Sequence, residues 1–133
     1  MADMFMVKII TPERVFYETE ASMIEFNTTE GEIGVYAQHI PLTTVIAPGV
    51  LRITEEDKTT VAALHAGFAE ILPNQVTLLA EIAEWPDEID ESRARKAKER
   101  AEHRLTAKSP DLDVARAELA LRKALVRIQT SNM

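Results

Sequence analysis

The chain has 133 residues, no cysteine and a formal net charge of −7, which removes disulfides, thiolate metal centres and a cysteine nucleophile. At 46% hydrophobic and 28% charged residues it reads as globular, with room for one ordinary domain or a small domain plus an appendage. No stretch approaches the ~18 apolar residues that span a bilayer, and Met1-Ala2-Asp3-Met4-Phe5 lacks the basic start of a signal peptide. A soluble protein is expected, reaching a membrane only through a partner.

Residues 4–10 are rich in β-formers and read as a strand. Thr11-Pro12-Glu13 breaks it, Arg14–Glu18 forms a second strand and Ala21–Asn27 a third. After the Thr28–Gly31 turn come Glu32–Tyr36, an apolar-tipped loop Ala37–Leu42, and Thr43–Ala47, which Pro48-Gly49 ends. Val50–Thr54, Thr60–His65, Phe68–Leu72 and Gln75–Glu81 complete a set of eight to ten short strands. Turn signals at such intervals predict an antiparallel β-sandwich or barrel over residues 1–86.

At Trp85-Pro86 the chain changes character, since the residue before a proline is driven out of the helical region. Residues 87–133 hold no glycine and one proline. Asp87 is the expected N-cap of a first helix running to about Lys108, with Ala94, Ala97, Ala101 and Leu105 as its apolar stripe. Ser109-Pro110 predicts a restart with Ser109 as cap. The second helix then runs to about Gln129, with Val114, Ala117, Leu121, Leu125 and Ile128 as its stripe, widened by Leu112, Ala115 and Leu119. The pair is expected to form an antiparallel helical hairpin, so the fold class is α+β. A first helix burying alanines is weakly held, because an alanine methyl gains far less than a leucine or valine. The i,i+4 pairs Glu91–Arg95 and Glu118–Arg122 add little.

The charge is uneven. Residues 1–86 hold 13 acidic and 4 basic side chains (−9) and residues 87–133 hold 9 and 11 (+2), which together give the −7 of the whole. This asymmetry suggests an interaction surface, but a +2 segment with interspersed acids does not suit nucleic acid. No catalytic set can be assembled. Gly31-Glu32-Ile33-Gly34 lacks the Gly-Lys-Ser/Thr ending of a phosphate loop, so its glycines read as turn residues. His65 lies in an apolar strand and reads as a satisfied structural histidine, and His39 on its loop suits contact rather than catalysis. The helix spacings do allow a ligand site. Arg93 and Arg100 share a face, Lys123 and Arg127 are four apart, and antiparallel pairing brings the start of one helix near the end of the other. Converging guanidinium groups suit phosphate. The same spacing also accommodates solvated pairs with Glu91, Glu99, Glu102 and Glu118.

Gly31-Glu32-Ile33-Gly34-Val35, His39-Ile40-Pro41-Leu42-Thr43, Pro48-Gly49-Val50-Leu51 and Gly67-Phe68-Ala69-Glu70-Ile71 together resemble the epsilon subunit of bacterial F-type ATP synthase over essentially the whole chain. Ile89-Asp90-Glu91-Ser92-Arg93-Ala94 is similar to the Ile/Leu-Asp-x-x-Arg-Ala motif by which some of these subunits bind ATP. The resemblance implies a non-catalytic central-stalk subunit of the F1 sector, peripheral on the cytoplasmic face of the cell membrane, in an enzyme that couples proton translocation to ATP synthesis. It implies ATP as a regulatory ligand and no catalytic cofactor, with Glu84, Ile89, Asp90, Arg93, Ala94, Arg100, Lys123 and Arg127 lining the site. Lys123 departs from the usual arginine and loses its bidentate fork. The implied partners are the gamma subunit, the c-subunit ring through Gln38, His39, Ile40, Pro41 and Leu42, and the alpha/beta subunits, where an extended hairpin would inhibit hydrolysis. The rival reading is a stand-alone small-ligand-binding domain.

Overall fold

The computed structural model describes residues 3–107 and 109–133. Eight strands come first: β1 Phe5–Ile10, β2 Val15–Ala21, β3 Met23–Thr28, β4 Gly31–Tyr36, β5 Leu42–Ile46, β6 Gly49–Thr54, β7 Thr59–Leu72 and β8 Gln75–Glu84. A 3-10 turn, Pro86–Glu88, leads to α1 Glu91–Ala107 and α2 Val114–Ser131. The expected sandwich followed by two helices is present, and it departs from an all-antiparallel arrangement. β1 pairs antiparallel with β2 but parallel with β8, from Met6 opposite Gln75 to Ile10 opposite Leu79. The ladder continues β8–β7, then divides: β7 pairs with β6 along its first half and β5 along its second, and both return to β3 and then β4.

β7 is where the expectation of two separate strands fails. Gly67 does not end the strand. It bends it, with φ 131° at Gly67 and 53° at Ala66. A side chain at Gly67 would bring a Cβ within 2.0 Å of the Leu79 carbonyl oxygen, so glycine is required by close approach as well as by φ. The bend shifts the side-chain alternation: Ala69 and Ile71 face the core after it, Ala62 and Leu64 before it. Ala63 and His65 therefore point to the opposite face, and they are buried too. What covers that face is α2, through Val126 packed with Val50 and Ala63 and flanked by Val61 and Ile89. The main core, built on Val7, Ile9, Phe26, Leu51, Ile53 and Leu78, contains no residue of either helix.

The helices differ from expectation in their ends and faces. Asp87 lies in the 3-10 turn and does not cap α1. Asp90 does, its Oδ1 accepting the Arg93 N–H at 3.1 Å, because the Glu88 carboxylate takes the Trp85 N–H and closes a separate turn first. The expected end of α1, Lys108, lies outside the described residues. Ser109 to Leu112 form a turn rather than a helix start. Asp113 caps α2 by accepting the Arg116 N–H at 3.1 Å. Val114, Leu119 and Leu125 are exposed. The buried positions of α2 are Ala117, Ala124, Val126 and Thr130 and those of α1 are Ala94 and Ala101, and α2 packs against both α1 and the sandwich. Glu91–Arg95 pairs at 2.8 Å; among the described residues no ion pair joins Glu118 to Arg122.

The junction is clamped to the β1–β2 hairpin. Trp85 stacks on Phe16 at 4.2 Å and meets Tyr17 edge-on at 5.1 Å. Arg14 pairs with Glu88 at 2.9 Å and lies over the Phe16 ring. Among the described residues no helix is long and apolar enough to cross a membrane.

Candidate functional site

The end of β8, the junction and both helices enclose a cleft of about 410 Å³, within the roughly 300–1,000 Å³ range of small-ligand sites. β8 supplies Glu84, the junction Glu88, Ile89 and Asp90, α1 Arg93, Ala94, Ala97 and Arg100, and α2 Arg127. Each arrives for a local reason. The cap at Asp90 fixes the first turn of α1, so Arg93, Ala97 and Arg100, three, four and seven residues apart, share one face. The helices pack antiparallel, the Asn132 amide at the end of α2 donating to Glu91 at the start of α1 at 2.8 Å, and this brings Arg127 to the cleft.

Seven of the eight residues expected to surround the ligand line this cleft: Glu84, Ile89, Asp90, Arg93, Ala94, Arg100 and Arg127. Lys123 does not. It lies one turn before Arg127 on α2, farther from the junction where the cleft opens. Glu88 and Ala97 line it without having been singled out. Trp85 reads in the sequence only as the junction and His65 only as a structural histidine, and Arg14 is not singled out. Arg14 carries no local signal, since its partner Glu88 is 74 residues away. His65 carries one in hindsight: a polar ring in a run of alanines and leucines at a glycine bend.

The electrostatics favour an anion. The carboxylates are already engaged: Glu84 accepts Arg127 Nε at 2.8 Å and faces His65 Nε2 at 3.1 Å, Glu88 pairs with Arg14, and Asp90 caps α1 through Oδ1. Burial alone would raise the Glu84 carboxyl, but the His65 and Arg127 donors outweigh it and hold the group below the usual carboxylate range. The Glu88 carboxyl is lowered too, chiefly by the Trp85 N–H, then by Arg14. Among the described residues Arg93 and Arg100 have no ion-pair partner, and Arg127 has one for Nε alone. The cleft thus offers the guanidinium donors of Arg93, Arg100 and Arg127 together with the apolar surface of Ile89, Ala94 and Ala97. Among the described residues no group of His, Asp or Glu could hold a metal ion.

His65 corrects the expectation of a satisfied histidine. It is 0% exposed, and its Nδ1 has no hydrogen-bond partner among the described residues.

Two further surfaces stand away from the cleft. The loop Gln38–Pro41, with Leu42 opening β5, lies at the other end of the β7–β8 hairpin, where the Gln38 N–H reaches the Pro73 carbonyl at 2.9 Å. Gln38 adopts φ 65°, His39 Nδ1 meets the Ile40 carbonyl, and Ile40 is 80% exposed. On the outer face of the sheet, Val45, Phe68, Leu79, Ile10 and Val15 lie directly opposite one another across β5, β7, β8, β1 and β2. Phe68 is 57% exposed and Val45, Leu79 and Val15 are exposed as well. This row is an apolar strip left exposed by the described residues.

Residues 4–86 match the family described as ATP synthase, Delta/Epsilon chain, beta-sandwich domain, and residues 87–132 match its long alpha-helix domain. An ATP synthase epsilon chain of Shouchella clausii (strain KSM-K16) is 46% identical over 94% of this chain and 92% of its own length. One from Halalkalibacterium halodurans is 44% identical over 94% and 95%. Among solved structures, a chain in the cryo-EM structure of Euglena gracilis mitochondrial ATP synthase (OSCP/F1/c-ring, rotational state 1) superposes with a TM-score of 0.83. It is 25% identical, over 98% of this chain and 82% of that one.

Proposed function

Because the chain belongs to the ATP synthase delta/epsilon-chain family, we propose that its hairpin is a regulatory arm whose docked state binds ATP and whose extended state inhibits ATP hydrolysis. Family membership makes the chain a stalk subunit of the epsilon type, without catalytic machinery of its own. The observation that carries the nucleotide reading is the cleft itself. The Ile89-Asp90-x-x-Arg93-Ala94 motif on α1 and Arg127 on α2 share one opening, which exists only while the hairpin is closed. The arginines take the phosphates, and Ile89 and the alanines take the base and sugar. ATP bound there favours the closed arm by its differential affinity for that state.

The assembly contacts follow from the remaining surfaces. The apolar row from Val45 to Val15 suits a gamma-type stalk subunit, and the exposed loop Gln38-His39-Ile40-Pro41-Leu42 suits the ring of c subunits at the far end of the sandwich. Through these the chain sits at the cytoplasmic face of the cell membrane without entering it and takes part in coupling proton flow to ATP synthesis. Docking rests on a small cluster around Val126, so the arm can leave the sandwich and reach the alpha/beta subunits while the main core stays intact.

The test is removal of residues 87–133 and reassembly with the remaining subunits of the complex. ATP hydrolysis is expected to rise with the sandwich still bound; an unchanged rate contradicts an inhibitory arm.

A further inference from the structure

We propose that His65 is a positioning residue: buried beneath α2, it fixes Glu84, and through Glu84 it orients Arg127 and holds the hairpin closed. The consequence for ATP rests on the nucleotide reading above, whereas the effect on docking stands without it.

Alternation along β7 ahead of the bend at Ala66-Gly67 puts His65, with Ala63, on the face that α2 covers. In that apolar setting a leucine would pack well, so the ring is there for its nitrogens. Nε2 lies 3.1 Å from Glu84 Oε1. Nδ1 is buried without a partner among the described residues. A carboxylate oxygen only accepts, so Nε2 is the donor of this pair and Glu84 Oε1 receives its N–H.

The same Oε1 accepts Arg127 Nε at 2.8 Å. One oxygen thus receives both donors, one from β7 and one from α2, and the carboxylate is held from the sandwich side before the helix arrives. Arg127, caught by Nε, keeps its terminal nitrogens free of protein partners among the described residues, and it lines the cleft. A guanidinium fixed at Nε presents its other edge in one orientation, so less freedom is lost when an anion binds.

A merely structural histidine would behave differently when removed. His65→Leu takes away an unpartnered buried nitrogen, which keeps or raises the stability of the sandwich. If the ring positions Glu84, the same change loosens α2. His65→Gln, whose amide can donate to Glu84, should restore α2.

The experiment uses the full chain and both variants. Hydrogen exchange over residues 121–131 is measured without nucleotide, ATP affinity by calorimetry, and sandwich stability by thermal unfolding. Expected for His65→Leu are about tenfold faster exchange and about tenfold weaker ATP binding, with thermal unfolding unchanged or higher and with recovery in His65→Gln. Unchanged exchange in His65→Leu, equal loss in both variants, or loss that tracks sandwich unfolding would each overturn the proposal. If the unaltered chain binds no ATP while His65→Leu still loosens α2, the nucleotide reading falls and the positioning role stands. If ATP binds the unaltered chain and His65→Leu alike and exchange is unchanged, the positioning role falls alone.

Discussion

Val126→Asp should open the hairpin without unfolding the sandwich. Val126 is 7% exposed and packs in a cluster of three buried residues with Val50 and Ala63. Burying a valine stabilises by about 1.5–3 kcal/mol. The Arg127–Glu84 pair, with side chains 30% and 24% exposed, adds about 1 kcal/mol after allowance for solvent screening. Docking therefore rests on a few kcal/mol. An aspartate at position 126 removes the valine term and would strand a carboxylate in the cluster at several kcal/mol, so the helix leaves instead. The main core contains no helical residue and should not respond. Limited trypsin digestion reads this directly, because 11 of the 15 Lys and Arg residues lie in 87–133. Cleavage within 91–131 should accelerate by about tenfold or more, while the sandwich fragment persists. Unchanged cleavage of the helices, or loss of the sandwich at the same rate, would refute the claim that the two parts are held separately.

Glu84 makes docking sensitive to acid. Its carboxyl is held below the usual range in the closed state and loses the Arg127 donor when the hairpin opens. A group depressed in this way stabilises the closed state above its ordinary value, and that contribution disappears as pH falls through the depressed value. Fluorescence of Trp85, which stacks on Phe16 at the junction, should show an acid step below the ordinary glutamate range that is absent in Glu84→Gln; a step of equal size in both would exclude Glu84 as its origin. Lys123→Ala should weaken ATP binding less than about threefold, since Lys123 does not line the cleft, whereas Arg127→Ala should cost about tenfold or more. Equal losses in calorimetry would show that Lys123 reaches the ligand.

The readable parts of this fold were those written locally. Alternation and turn residues gave the strands, Trp85-Pro86 gave the junction, and three-and-four spacing put Arg93 and Arg100 on one face. The parts that were not readable depend on partners distant in sequence. Nothing near Phe5–Ile10 says that it pairs parallel with Gln75–Glu84. Gly67 marks a break by composition, yet the close approach of Leu79 makes it a bend within one strand. The expected helix caps failed: Asp90 caps α1 while Asp87 lies in the Pro86–Glu88 turn, and Asp113 caps α2 while the Ser109 carbonyl takes the Leu112 N–H in a turn ahead of it. Lys123 and Arg127 share a face by spacing, but only the cleft's depth along α2 separates them. His65, read as a satisfied core residue, is tied to Glu84, 19 residues away, and through it to the opposite end of the chain.

The most direct test of the account is an ATP titration of the full chain by calorimetry, repeated with Asp90→Ala and Arg93→Ala. Asp90 caps α1 and Arg93 brings a guanidinium with no ion pair among the described residues into the cleft, so the parent should bind ATP and both variants should bind about tenfold more weakly or not at all. No binding by the parent, or equal binding by all three, would contradict an ATP site between the sandwich and the closed hairpin.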